Sequence, residues 1–407
     1  MNTIDSYRNI VGNQAIEELY FLGEKLRGLS VQNINSTALG GGVAEILSRM
    51  IPLMKEVGID VRWDVIQGDE RFFEVTKNIH NALHGGDVNL GRQEFNYFLE
   101  VNKANMARLA PWGDIVFVHD PQPVALVKKK RRLKNKWIWR CHIDFSQPKR
   151  NVWLFLKKYI EKYDAAVFSA PAFARRLAIR QILIAPSIDP LSDKNRELDE
   201  DTIEEVVSRL GIDRERPIIT QVSRFDYLKD PLGVIEAYRL VKKYIDCQLV
   251  LAGGGALDDP EGARVLDEVK SAAQHDKDIF VLHLPPDSHL VINALQRASD
   301  VILQKSLKEG FGLTVCEALW KEKPVIASAV GGIPLQIAHK YSGILTYTTE
   351  GTAYWIKQLI HEPEYARRLG VRGKCHVRNN FLITRHIQDY LLLFLSLDSH
   401  SESIYLG

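Results

Sequence analysis

Arg224 and Lys229 lie five residues apart in Ser223-Arg224-Phe225-Asp226-Tyr227-Leu228-Lys229-Asp230-Pro231, directly after an apolar run, Ile218–Val222, that reads as a strand. Pro231 suits the first turn of a helix, so both cations belong to a loop at the carboxyl end of a strand. A guanidinium fork and an ammonium point charge placed there suit a diphosphate. Read alone, the same two residues are also what a solvated surface loop carries.

A second cluster narrows the chemistry. Lys308-Glu309-Gly310-Phe311-Gly312-Leu313-Thr314-Val315-Cys316-Glu317-Ala318 follows the strand-like run Val301–Gln304. Its two glycines let the backbone approach a ligand closely. A helix opening near Leu313 aims free N–H groups and the positive end of its dipole at whatever sits above it. Glu309 precedes that helix and Glu317 lies about one turn inside it, so the two carboxylates can reach different parts of one ligand, accepting from sugar or ribose diols. Two other readings exist: Glu317 as a helix-capping or ion-pairing residue, and the pair as the acid and nucleophile of a glycosidase. An anion-friendly helix start beside Arg224 and Lys229 has little use in a glycosidase.

These loops need strands to hold them. Val31–Asn35, Asp60–Ile66, Ile115–Val118, Trp137–Cys141 and Ala165–Ser169 are strand-like in the first half, with a helical pattern from Val43 to Val57. Ile218–Val222, Gln248–Ala252, Ile279–Leu282, Val301–Gln304 and Pro324–Ser328 repeat the pattern in the second half. Strand, loop and helix alternating at this spacing predict mainly parallel sheets with helices on both faces, an α/β class. The stretch from Pro186 to about Pro217, with its charged segment Asp193–Asp201, reads as the connection between domains. We expect domains at 1–190 and 191–383, with an apolar helix in 384–407 returning to the first domain. Two such halves place a ligand cleft between them, outside the carboxyl ends of the strands.

Bulk properties agree. A chain of 407 residues is long enough for two cores. Apolar and charged fractions of 45% and 26% are ordinary for a globular protein, and a net charge of +2 argues for neither nucleic acid nor an acidic membrane as partner. Cys141, Cys247, Cys316 and Cys375 are widely spaced with no metal-type pair, so buried free thiols are expected. The N-terminus shows no secretory pattern, and Leu391–Leu395 is far short of the roughly 20 residues that span a bilayer. A cytoplasmic enzyme is expected.

The E-x7-E spacing from Glu309 to Glu317, the R-x4-K spacing from Arg224 to Lys229 and Gly253-Gly254-Gly255 after a strand resemble family 4 of the retaining GT-B glycosyltransferases. Gly40-Gly41-Gly42, His119-Asp120-Pro121-Gln122, Cys141-His142-Ile143-Asp144 and Pro186-Ser187-Ile188-Asp189-Pro190-Leu191-Ser192 are similar to the trehalose glycosyltransferring synthases within it. The resemblance implies two doubly wound Rossmann-like domains with the active site in the cleft between them. It also implies α-glucosyl transfer from UDP-, ADP- or GDP-glucose as co-substrate to free glucose, giving trehalose, with no further cofactor and no metal.

By the same resemblance, Arg224 and Lys229 would neutralise the leaving diphosphate and Glu309 would hold hydroxyls of the transferred glucose. Glu317 would hold the ribose. Backbone N–H groups of Phe311, Gly312 and Leu313 would touch sugar and phosphate, while Gly41 and Gly42 close over the diphosphate. Leu284, next to His283, would lie against the base. His142 would contact the 6-hydroxyl of the donor sugar; as a lone residue at a strand end it also reads as a structural histidine. Asp120 and Gln122, with His119 as a weaker candidate, would face the acceptor.

Other readings stay open. A sugar phosphate, lipid or glucan acceptor would keep the fold and donor chemistry, and an epimerase shares the two-domain fold. Lys128-Lys129-Lys130-Arg131-Arg132-Leu133-Lys134-Asn135-Lys136 could bind RNA or acidic lipid, or be a solvated connection beside core Trp137 and Trp139. Two Asp-x-Asp sequences, Asp199-Glu200-Asp201 and Asp276-Lys277-Asp278, are poorly placed to hold a metal. The base, the direction of reaction and the formation of a homodimer are left undecided by the sequence.

Overall fold

The computed structural model describes residues 3–38, 41–130, 135–254 and 260–398, so Gly40, Gly255 and positions 131–134 of the basic run lie outside the described residues. The chain folds as two units. One runs to Pro186 and takes in the residues from Ile383 onward; the other is Ser187–Leu382.

The first unit is built on β1 (Ser30–Asn35), β2 (Asp60–Val65), β3 (Ile115–His119), β4 (Lys136–Cys141), β5 (Ala165–Phe168) and β6 (Arg180–Leu183). All pair in parallel, in the order β2-β1-β3-β4-β5-β6. Every residue of β3 and β5 is buried, which is why these segments read as unbroken apolar runs rather than alternating ones. Trp137 and Trp139 share one face of β4, are 2% and 0% exposed, and belong to the core. Ile138 and Arg140 take the other face. His119 pairs with Arg140 in register, so both side chains point the same way. The helix Ile383–Asp398 covers that face: Phe117 meets the rings of Tyr390 and Phe394 with centroids 5.0 and 6.2 Å apart.

The second unit contains β7 (Ile218–Val222), β8 (Gln248–Gly253), β9 (Ile279–His283), β10 (Val301–Gln304), β11 (Val325–Ser328) and β12 (Ile344–Thr346). They form a second parallel sheet ordered β12-β11-β10-β7-β8-β9. The chain reverses its direction of travel across the sheet between β7 and β10. In doubly wound sheets, ligands sit outside the carboxyl ends of the strands at such a reversal.

The charged stretch expected to be a connection is part of this unit. Asp199 caps a helix, Glu200–Arg209, by accepting from the Thr202 amide. Ile203 and Val207, four residues apart, bury that helix in an apolar cluster with Ile218, Val250 and Leu295. The segment before it is tied down as well. The Ile188 amide donates to the Phe381 carbonyl at 2.9 Å, which puts the start of the unit at Ser187, a few residues before the expected 191.

Candidate active site

In the second unit, the loops after β7 and β10 carry the predicted cations and carboxylates, at the reversal point of the sheet. Arg224 is 55% exposed and pairs with Asp226 at 3.1 Å. Asp226 also accepts from the Leu228 amide, and this turns the chain into a short 3-10 segment ending at Lys229. Asp230 then adopts a left-handed conformation (φ +49°) and caps the helix Pro231–Lys242 through the Gly233 amide, while its other oxygen is bonded by Lys305 from the loop after β10. The two loops are thereby stitched together.

Lys229 Nζ meets Glu309 Oε2 at 2.5 Å, with the side chains 15% and 10% exposed. Ser306 Oγ and Gln304 Nε2 stand 3.2 and 3.4 Å from the same carboxylate oxygen, and Thr314 Oγ1 donates to Gln304 Oε1 at 2.8 Å. All four polar groups serve to aim one oxygen of Glu309. Gly312 caps the helix Leu313–Trp320 at φ +84°, a conformation that favours glycine. Phe311 is 4% exposed, its ring packs edge-on to Phe381, and its carbonyl accepts from Gln336. Phe311 is therefore an anchor, and only its backbone is suited to face a ligand. Gly331, not among the expected site residues, also holds the loop in place: a Cβ there would lie 1.6 Å from the Glu309 carbonyl oxygen. A glycine pair, Gly331-Gly332, just after a strand was the available signal.

Glu317 is 1% exposed. Its Oε1 is 3.4 Å from Lys194 Nζ, and its Oε2 is a buried oxygen without a hydrogen-bond partner among the described residues. Lys321, one turn on, bonds Asn195 Oδ1 and Gln296 Oε1 at 3.1 and 2.8 Å, and burial pulls its ammonium down to about 7 against the attraction of Glu317. Gly253 and Gly254 serve strand packing: a Cβ on them would stand 1.8 Å from the Ser223 carbonyl and 2.9 Å from that of Leu284. Leu284 is half-buried and His283 exposed at the end of β9.

In the first unit, Gly41 (φ +79°) caps the helix Gly42–Glu56. The strand ends of β3 and β4 are joined through Asp120, which sits at φ +65°, an uncommon conformation that Asp tolerates better than most residues. Its amide donates to the Arg140 carbonyl at 2.7 Å, and its Oδ1 accepts from the His142 amide at 2.8 Å. Burial pushes the Asp120 carboxyl up to about 6, despite the His142 amide and the Arg140 charge. The Gln122 carbonyl accepts from Asn102, while Gln122 Oε1 is buried without a partner among the described residues.

His142 is half-buried, and its Nε2 is 3.0 Å from His119 Nδ1. Burial, and then the Arg140 guanidinium, lowers His119 to about 3 and His142 well below its usual value. Arg140 is fully buried, with Nε and Nη1 unpartnered among the described residues.

Neither Asp-x-Asp sequence forms a cation site among the described residues, where no cluster of three or more His, Cys, Asp or Glu has metal-binding geometry. Asp199 is a helix cap, and Asp278 is held by Arg216 and Lys242 at 2.7 Å each, which lowers it to about 2. The described part of the basic run is engaged locally: Lys129 bonds the Met106 and Leu109 carbonyls, and Lys130 bonds Asp164. Three cysteines are buried free thiols as expected, but Cys375 is exposed, because it lies on the solvent side of the helix Pro363–Asn380. No described helix is long and apolar enough to cross a membrane.

Comparison with known proteins fits this arrangement. The trehalose synthase N-terminal domain family matches residues 33–175, and the group 1 glycosyl transferases match residues 202–376. A trehalose synthase of Pyrococcus horikoshii is 44% identical over 400 residues, covering 97% of this chain and 96% of the relative. One from Rubrobacter xylanophilus is 46% identical over 402 residues, covering 96% of each. Among solved structures, a trehalose-6-phosphate synthase superposes with a TM-score of 0.75 at 16% identity, over 91% of this chain and 99% of that one. A sucrose-phosphate synthase from Thermosynechococcus elongatus gives 0.72 at 18%, over 92% and 100%. These two show the fold alone, that of GT-B glycosyltransferases. On its sequence relatives the chain is a hexosyltransferase and belongs to the trehalose synthase family.

Proposed function

We propose that this enzyme moves glucose, with retention, from a nucleoside diphosphate glucose to free glucose, forming trehalose, and that the reaction is reversible. The observation that carries the reading is the Lys229–Glu309 pair, set beside Arg224 and the glycine-capped helix start at the reversal of the second sheet. Arg224, Lys229 and the N–H groups of Phe311, Gly312 and Leu313 neutralise charge that grows on the leaving diphosphate, the electrostatic contribution expected to dominate. That charge is supplied by the chain itself, so no divalent ion is needed.

Glu309 accepts from hydroxyls of the transferred glucose. Glu317, with its unpartnered buried oxygen, accepts from the ribose diol. Gly41 and Gly42 cover the diphosphate, and Leu284 lies against the base. His142 contacts the 6-hydroxyl, and Asp120 and Gln122 hold the acceptor. In the transfer step the bond from the anomeric carbon to the phosphate oxygen breaks. The acceptor hydroxyl bonds that carbon on the same face, and its proton passes to the departing phosphate.

A Pleurotus pulmonarius trehalose phosphorylase is 31% identical over 85% of this chain, although the match spans only 54% of that protein. One experiment separates the readings: trehalose is supplied with a nucleoside diphosphate or with orthophosphate, and the sugar product is identified. Formation of a sugar nucleotide supports the proposal. Formation of glucose 1-phosphate, with no reaction of the nucleotide, would refute it.

A further inference from the structure

Asn33 has no part in the chemistry above, yet it is a buried polar side chain (3% exposed) on β1 whose Oδ1 lies 3.0 Å from His119 Nε2. The other nitrogen of that ring, Nδ1, lies 3.0 Å from His142 Nε2. A carboxamide oxygen only accepts, so the His119 proton resides on Nε2. Both rings are held neutral by burial and by the Arg140 charge, and a neutral imidazole has one donor and one acceptor. His119 Nδ1 therefore accepts, His142 Nε2 donates to it, and Nδ1 of His142 retains its lone pair. That nitrogen makes no hydrogen bond among the described residues and is not one of the buried atoms lacking a partner. The ring itself is fixed: it stacks on His119 with 5.4 Å between centroids and 24° between planes, and its backbone amide is tied to Asp120.

We propose that Asn33 and His119 are positioning residues that set the tautomer of His142, so that it offers an acceptor nitrogen to a hydroxyl of the bound hexose. This rests on the reading of His142 as a contact to the 6-hydroxyl of the transferred sugar. The relay makes the enzyme selective for a hexose that can donate from that position, since a deoxy sugar leaves the lone pair unmatched.

The test compares kcat/KM for the nucleoside diphosphate glucose that the enzyme uses and for its 6-deoxyglucose counterpart, in the wild type and in four variants of the full chain. In the wild type the hydroxyl should be worth about tenfold, the scale of one hydrogen bond between neutral groups. His119→Phe and Asn33→Leu should bring the ratio of the two donors close to one. His119→Asn, whose amide oxygen can replace Nδ1, should restore it. A purely structural role would slow both donors equally and leave the ratio unchanged, which would overturn the proposal. Should His119→Phe fail to fold, Asn33→Leu carries the same comparison. His142→Ala separates the two failures. If it abolishes the ratio while Asn33→Leu and His119→Phe preserve it, the relay is wrong and His142 keeps its contact. If it leaves a wild-type ratio intact, or if the wild-type ratio is itself near one, His142 does not read that hydroxyl at all.

Discussion

Acid should destabilise the first unit through His119, and the size of the effect follows from its surroundings. His119 is 1% exposed and is faced by Asn33 from β1, Arg140 from β4 and His142 from the following loop; His386 from the C-terminal helix interacts electrostatically with both histidines, and Arg385 acts on His386. Burial first, and Arg140 second, lower its folded value from 6.5 to about 3. The unfolded chain takes up a proton as pH falls through about 6.5, and the folded chain refuses it until about 3. The stability is thus complete above about 6.5 and is lost progressively as pH falls towards about 3. One unit below the unfolded value the loss is about 1.4 kcal/mol, on the order of tenfold in the opening equilibrium. His142 and His386 are lowered too and act in the same direction. Hydrogen-exchange protection of the β3 and β4 amides, compared between about pH 7.5 and pH 5.5, reads this unit separately from the other. The wild type should lose about ten times more protection on acidification than His119→Asn, which has no ring to titrate. An equal loss in both proteins would refute the reasoning.

Glu309→Ala should leave nucleotide binding largely intact and remove most turnover, so titration calorimetry beside steady-state rates checks it; equal loss of both counts against its role. Gly331→Ala would drive a Cβ to 1.6 Å from the Glu309 carbonyl in a backbone at φ +56°, so the loop must move. A displacement near 1 Å should lower kcat by about a hundredfold, and retention of wild-type kcat would show that the loop position is unimportant. Tyr390→Ala empties a buried site against Phe117 and should cost about 3–5 kcal/mol, read as a fall in the denaturation midpoint of the first unit. Turnover should survive prolonged dialysis against EDTA, because Arg224 and Lys229 carry the charge role; loss restored by magnesium or manganese would contradict this.

Much of this architecture was legible because buried parallel strands must be apolar on both faces. β3, β5 and β10 appear as short, largely apolar runs for that reason, and β7 does so in part, with buried Thr220 and Gln221 inside it. The loops following β7 and β10 were legible because ligand-facing loops combine glycine with charge. β6 and β12 were not: the edge strand Arg180–Leu183 is exposed at both ends and only half-buried between them, so it carries no apolar run, and Ile344–Thr346 is only three residues long. The helix Glu200–Arg209 was masked by its own charges, with Ile203 and Val207 the only buried anchors it shows. The Asn33–His119–His142 contact joins residues 86 and 23 positions apart, and only the strand order β1-β3-β4 brings them together. The pair Gly331-Gly332 marks a tight place after a strand, but what Gly331 avoids is a backbone oxygen 22 residues upstream, so the pair alone does not tie it to Glu309.

The most direct test of the central claim is to incubate the enzyme with α-linked nucleoside diphosphate glucose and free glucose, and to record the anomeric proton spectrum of the purified disaccharide. The proposed mechanism predicts a symmetric non-reducing product in which both anomeric centres are α. A product with a reducing end, a β linkage, or no disaccharide until a phosphorylated sugar replaces glucose would contradict it.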